Sequence, residues 1–302
     1  MVTGIQMRDH RDFLTALPAD RKTALTETSD RAGLRHLAGH AGLILIVGAL
    51  IAARVPFWPL LLPVQGVLIV FLFTLEHECT HRTPFRSQAL SDWVGRACGL
   101  AILLPFEWFR YFHLAHHRFT NIPGKDPELD SAKPATPGEW LAHVSGLPLW
   151  WGNLRLILRL VAGRERAACL PERALPRMER EARIMLALYA LAALSLLWSQ
   201  VLFWVWLVPM LIGQPFLRLY LLAEHGDCPQ VANMFENTRT TFTTSVVRFL
   251  AWNMPYHVEH HVFPAVPFHR LPDLHRLIRE DLKVTAEGYA AFSRDYLARR
   301  LR

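Results

Sequence analysis

The stretch Ile184–Leu217 runs for 34 residues without a formal charge. At about 1.5 Å of rise per residue, one helix of that length would far overshoot a hydrocarbon core of about 30 Å. It therefore predicts two helices joined near Trp198–Gln200. Two further charge-free runs, Leu37–Ala53 and Phe57–Leu75, are separated only by Arg54–Pro56. The expected fold is an all-α integral membrane protein, with four transmembrane helices in two hairpins and a cytosolic helical cap.

Residues 1–33 are polar and mixed in charge, so no cleavable signal peptide is expected. The net charge of +7 invites a nucleic-acid partner. Its distribution argues otherwise: of 33 Lys and Arg, only Arg54 falls in a predicted short outer loop. That asymmetry is the positive-inside pattern, and it places both termini and the middle segment in the cytoplasm. The four cysteines, Cys79, Cys98, Cys169 and Cys228, show no paired spacing and are expected to be reduced thiols. Arginine outnumbers lysine 29 to 4, which points to a bacterial source and hence an inner membrane.

The chain reads as a single domain, 1–302. It divides into a cytoplasmic N-terminal segment (1–33), a first hairpin (34–75), a cap segment (76–183), a second hairpin (184–220) and a C-terminal cap segment (221–302). Ala97–Phe106 is too short to span. Trp140–Leu160 is long enough, but Gly146, Pro148, Arg155 and Arg159 make it an interfacial or cap helix. Asn121–Glu139 reads as a loop, Ala162–Arg183 as a proline-punctuated connector, and Leu271–Val284 as a helix docked on the cap.

Three histidine boxes carry the chemistry. "HECTH" supplies His77 and His81, "HLAHH" supplies His113, His116 and His117, and "HVEHH" supplies His257, His260 and His261. On a helix, positions i, i+3 and i+4 share one face, so each box presents its imidazoles together. Imidazole suits Zn, Cu, Fe and Ni, and one structural zinc needs four ligands, so eight imply two metals. The expected topology brings all three boxes to one side of the membrane. Glu78, Asp126, Glu224, Asp227 and Glu259 are candidates to orient imidazole N–H groups. His10, His36, His40, His143, His269 and His275 are read as ordinary structural histidines.

The boxes, over a match from about Leu37 to His275, resemble the membrane fatty acid desaturase/hydroxylase superfamily. The resemblance implies a diiron centre that activates O2 and abstracts hydrogen from an unactivated C–H bond of a lipidic chain. Desaturation is the expected outcome, since "NMPYHVEHH" followed by "FPAVPFHRLPDLH" is similar to the desaturase branch; a hydroxylase or ketolase is the alternative. "LAEHGD" places His225 just after the fourth span, and its "EHG" context resembles a non-box histidine of related enzymes, implying a ninth metal ligand. The other reading of His225 is a helix cap before Gly226. Some desaturases have asparagine four residues before that histidine; here it is Leu221. Because no iron–sulfur spacing or GxGxxG fingerprint occurs, an external cytochrome b5, ferredoxin or rubredoxin with its reductase must supply electrons. A rival from another class remains: His77–His81 also satisfies H-E-x-x-H, the pattern of a zinc protease with Glu78 as base.

Overall fold

A computed structural model describes residues 9–300 of the chain. It is helical nearly throughout. Among the described residues the only strand pairing is two residues long, Thr240–Thr241 parallel to Thr285–Ala286.

Three helical stretches are long and apolar enough to cross a membrane: Ala19–Ala52, Trp58–His81 and Phe203–His225. Their outer faces expose large apolar side chains such as Leu45, Ile46, Leu60 and Leu211. Exposed large apolar side chains on helices of this length suit lipid rather than water.

Trp58–His81 and Phe203–His225 pack together where two glycines meet. A methyl group on Gly66 would sit 2.2 Å from the Pro209 carbonyl oxygen, and one on Gly213 would sit 2.3 Å from the Gly66 backbone. Only glycine permits this approach, a small-residue contact typical of membrane helices. Gly66 precedes His77 by 11 residues and Gly213 precedes His225 by 12, a descent of about 17 and 18 Å. The two helices therefore run parallel and deliver their histidines to one level. At their other ends Trp58 and Trp204 meet edge to face at 5.3 Å.

Parallel helices require a return path between them. Leu175–Ser195 leads toward the start of Phe203–His225, its Tyr189 ring stacked on Trp206 at 6.1 Å. This helix is 21 residues long, about 31 Å, but five charged residues in Arg177–Arg183 keep it from being apolar throughout. Those charges are matched at the site end: Arg177 and Arg96 face Glu107, and Glu181 accepts from the Glu107 backbone N–H at 2.8 Å. The expected connector Ala162–Arg183 is thus corrected, because helix begins at Leu175. Pro176 lies in the first turn, where its missing N–H costs nothing. The expected break near Trp198–Gln200 is present, as turns after Ser195.

Ala97–Phe106 contains a sharp corner. Gln88–Ile102 and Phe106–Phe119 meet at 101°, with Leu103 in the left-handed region at φ 61°. The carbonyls freed there are taken by two apolar-helix side chains: the Tyr189 hydroxyl donates to Leu100 at 2.8 Å and the Trp206 indole to Ala101 at 2.7 Å. Trp140–Leu160 is two helices, Pro137–Ser145 and Leu147–Val161, broken at Gly146 with φ 72°. Asn121–Glu139 is mostly loop, with a short helical turn at Pro127–Asp130 and a helix from Pro137. The C-terminal docking helix is shorter than expected, Leu271–Ile278, and buries Leu271, Leu274 and Ile278.

Candidate metal centre

Each box occupies a helix end or a short helix. His77 and His81 close Leu72–His81, the second box lies on the last three turns of Phe106–Phe119, and the third forms His257–Val262. His225 is the last residue of Val208–His225. The structure brings all nine histidines singled out from the sequence into one buried cluster, in two groups. The ligating atoms of His77, His81, His113, His117 and His260 lie within 4.8 Å of one another, and so do those of His116, His225 and His261. His257 stands beside the second group, its Nε2 3.1 Å from the Nε2 atoms of His225 and His261.

The ring orientations test whether a metal fits. His116 Nδ1 faces Asp126 Oδ1 at 2.9 Å, His225 Nδ1 faces the Asn237 carbonyl at 3.2 Å, and His261 Nδ1 faces Thr120 Oγ1 at 3.1 Å. The Thr120 hydroxyl donates to the His116 carbonyl at 2.8 Å, so it accepts from His261. In all three rings, when neutral, the proton is on Nδ1 and Nε2 carries a bare lone pair. Yet His116 Nε2 and His225 Nε2 are 3.2 Å apart. Bare lone pairs facing one another in a buried space repel unless a cation lies among them. The donor set fits metal ions, and its neutral imidazole nitrogens suit iron, zinc, copper or nickel.

Burial supports the neutral state in most of the rings; at His116 burial pulls down, but Glu128 and Asp126 hold the ring above the ordinary 6.5. The rings of His257, His260 and His261 are held well below the ordinary 6.5, first by burial and then by neighbouring charges. In the opposite sense, burial pushes the Asp126 carboxyl up, but hydrogen bonds from His116, Glu128 N–H and Asn121 N–H hold it below its usual range.

Of the five candidate acids, three lie against the Nδ1 of a boxed histidine. Asp126 bonds His116, Glu224 Oε1 is 3.4 Å from His257, and Glu78 Oε1 is 4.0 Å from His260. Two do not. Asp227 pairs with Arg299 and Arg300, and Glu259 accepts from the Thr240 hydroxyl and His275 Nδ1, both at 2.5 Å. Glu259 thus anchors the third-box helix from behind. His275, read as ordinary, is its partner. His40 holds the first long helix, bonding the Leu68 carbonyl through Nε2 and accepting from the Trp252 indole through Nδ1.

Sequence reading missed Thr120 and Asn237. Asn237 is a hub: its carbonyl accepts from His225 and from the Asn121 amide, while its own amide donates to Thr120 and Val231. The Asn237–Thr241 run is wholly buried. Five consecutive buried polar residues look like a solvated loop in sequence, so no local signal marks them.

A histidine cluster capable of holding metal at the ends of paired apolar helices long enough to cross a membrane points to a class of membrane metalloprotein. Residues 53–293 match the sequence profile described as fatty acid desaturase, and the chain belongs to that family. It is 24% identical over 247 residues to the sn-1 oleoyl-lipid 12-desaturase of Arthrospira platensis, covering 70% of this chain and 66% of that protein. It is 32% identical over 116 residues to the enzyme of the same name from Picosynechococcus sp., covering 35% and 33%. A sphingolipid delta(4)-desaturase/C4-monooxygenase of Mus musculus is 27% identical over 211 residues, covering 68% and 60%. These alignments span between a third and two thirds of the relatives' own length.

Proposed function

We propose that the chain is an O2-dependent membrane oxidoreductase that introduces a double bond into a fatty acyl or other lipidic alkyl chain. His77, His81, His113, His117 and His260 would hold one iron; His116, His225, His257 and His261 would hold the other. The observation that carries this reading is the convergence of nine imidazoles from four separated segments, with the Nδ1 atoms of His116, His225 and His261 held by other groups. Iron bound there supplies O2 activation and removal of hydrogen from an unactivated C–H bond. In balance, the substrate gives up two hydrogens, O2 is reduced to two waters, and an external donor supplies two electrons with two protons from solvent. Cytochrome b5, ferredoxin and rubredoxin are the donor types in view.

The chain's own residues do the positioning. Asp126, the Asn237 carbonyl and Thr120 fix three tautomers, so the Nε2 lone pairs of His116, His225 and His261 would be free to hold a metal ion. Burial of most of the boxed rings keeps water away and holds His257, His260 and His261 neutral. The exposed apolar faces of the long helices let a lipid chain approach from the bilayer. The relation of the two parallel helices to the returning Leu175–Ser195 supports four crossings. In that arrangement 1–302 is one unit, and both termini and the cap (76–183 and 221–302) are on the cytoplasmic side of a bacterial inner membrane.

Hydroxylation is kept as a second reading, because the mouse relative's name joins desaturase and monooxygenase and both outcomes start from the same abstraction. The protease reading is disfavoured by Glu78. Its Oε2 accepts from the Thr83 hydroxyl at 2.8 Å and the Phe268 N–H at 3.3 Å, behind the histidines. The test is metal analysis of protein made under iron-replete conditions, followed by mass spectrometry of lipid products with a reductase system. Two irons per chain and an O2-dependent loss of two hydrogens are expected. One zinc without iron would sink the proposal.

A further inference from the structure

The segment 137–161 leaves the cap and follows a spanning helix inward. Four points fix its register against Phe203–His225. Ser131 and Lys133, just before it, share a cavity wall with His225. Trp140 packs on the cluster of Leu222, Ala223, Phe292 and Tyr296. The ring nitrogens of His143 lie 3.1 and 3.3 Å from Arg218 Nη2. A methyl group on Gly146 would sit 2.2 Å from Gln214 Cγ. As the chain advances from 133 to 146, its contacts step back from 225 to 214, so Pro137–Ser145 runs antiparallel to the spanning helix. Gln214 is 11 residues from His225, about 16 Å along the axis. A hydrocarbon core takes about 20 residues of helix. Counted from Phe203 it ends near Leu222, which leaves Gln214, and with it Gly146, inside.

At Gly146 the chain reverses, and Leu147–Val161 returns toward the site end. Its Leu156, Ile157 and Leu160 pack with Met178 and Ala182, beside the Glu181 that accepts from the Glu107 N–H. The backbone at the turn is satisfied within the hairpin. Gly146 N–H donates to the His143 carbonyl at 3.2 Å, Leu147 N–H to the Ser145 hydroxyl at 3.2 Å, and Trp150 N–H to the Gly146 carbonyl at 3.0 Å. Pro148 has no N–H to satisfy. In lipid, every backbone polar group needs such an internal partner. Residues 140–154 contain no Asp, Glu, Lys or Arg.

The outward face of the returning helix is apolar. Leu147, Trp151, Leu154 and Leu158 are 66, 55, 38 and 47% exposed, and steps of four, three and four residues put them on one face. Cations enter only toward its far end: Arg155, stacked on Trp151 at 4.7 Å, and Arg159, paired with Glu165 at 3.0 Å. Apolar groups deep and arginines shallow are the order a leaflet imposes, since arginine reaches back to the headgroups. We infer that 137–161 is a re-entrant hairpin. It dips into the leaflet on the side of the metal cluster without crossing it, and its stripe from Leu147 to Leu158 binds lipid acyl chains. A helix lying flat in the interface would hold Gly146 at headgroup level, away from Gln214. The inference rests on the proposed crossing of the bilayer by Phe203–His225.

The test attaches the fluorophore bimane to single cysteines of the full chain in nanodiscs of phosphatidylcholine and phosphatidylglycerol. Cys169 and Cys228 are first changed to serine; Cys79 and Cys98 are buried. The labelled variants are Leu147→Cys, Trp151→Cys, Leu154→Cys and Leu158→Cys, all at exposed side chains whose replacement leaves the core packed. The quenchers are lipids brominated near the chain end, lipids brominated near the headgroup, and aqueous iodide. Labels at 147 and 151 should lose most of their emission to the deep bromines and none to iodide, while the label at 158 should lose most to the shallow bromines. Equal shallow quenching at all four positions means a helix lying flat and overturns the proposal. Loss to iodide at 147 and 151, a face in water, also overturns it. So does loss to no quencher, a face covered by a second copy or another protein. Leu211→Cys, exposed on the spanning helix, is the control. If its label is quenched by iodide and not by bromines, the bilayer crossing itself is wrong.

Discussion

Replacing Asp126 by asparagine should empty one metal position and spare the other. The Asp126 carboxylate accepts from His116 Nδ1 at 2.9 Å, Asn121 N–H at 2.7 Å and Glu128 N–H at 2.9 Å. Asparagine keeps one oxygen but turns an amide NH2 toward donors, so at least one buried N–H loses its acceptor. That costs about 1–3 kcal/mol. Loss of the partner that orients a ligating histidine typically weakens metal binding about 10–100-fold, about 1.4–2.7 kcal/mol. The two ranges agree. The damage is confined to His116 and its group, because the Asp126 carboxylate bonds only His116, Asn121 and Glu128 among the described residues. With a graded chelator and elemental analysis, iron should fall from about two per chain to about one at a chelator level that leaves the wild type loaded. Asp126→Asn protein that resists chelator like wild type, or that loses both irons in parallel, refutes the division into two groups.

Gly66→Ala should cost more than about 3 kcal/mol, since its methyl would press on backbone rather than on a movable side chain; Gly42→Ala, with nothing within 4 Å, should leave the melting temperature in detergent unchanged or slightly raised. Metal-free protein should lose stability as pH falls below about 6.5. There the unfolded chain protonates rings that the fold holds neutral at His257, His260 and His261; thermal melts from pH 8 to 5 that stay flat would contradict this. Reporters after Arg302 or within Asn121–Glu139 should be cytoplasmic and one near Arg54–Pro56 external, and opposite sides for the first two would break the shared site.

The parts of the fold legible in sequence were those with a strong local period or run. The three boxes, the spans around Leu43 and Leu68, and the break after Ser195 all follow from spacing and charge alone. Leu175–Arg183 was not legible, because Arg177 looks solvated until Glu107 is seen facing it, and Glu181 until Arg96 is. The supporting shell was legible only in part. Acids near a box can be guessed, but Thr120 and Asn237 act across 141 and 117 residues of sequence separation. A backbone carbonyl, such as that of Asn237, carries no sequence signature at all.

The Gly66–Gly213 contact also acts as a pivot. Below it hang two nearly equal arms of about 17 and 18 Å, ending in His77 and His225. A change of about 5° in the angle between them would shift one arm's end against the other by about 1.5 Å. Displacements of about 1 Å are enough to change turnover a hundredfold. Because helix tilt responds to bilayer thickness, the spacing of the two histidine groups is mechanically geared to the surrounding lipid. A membrane that its own product makes thinner or thicker would then reset the geometry of the site that made it.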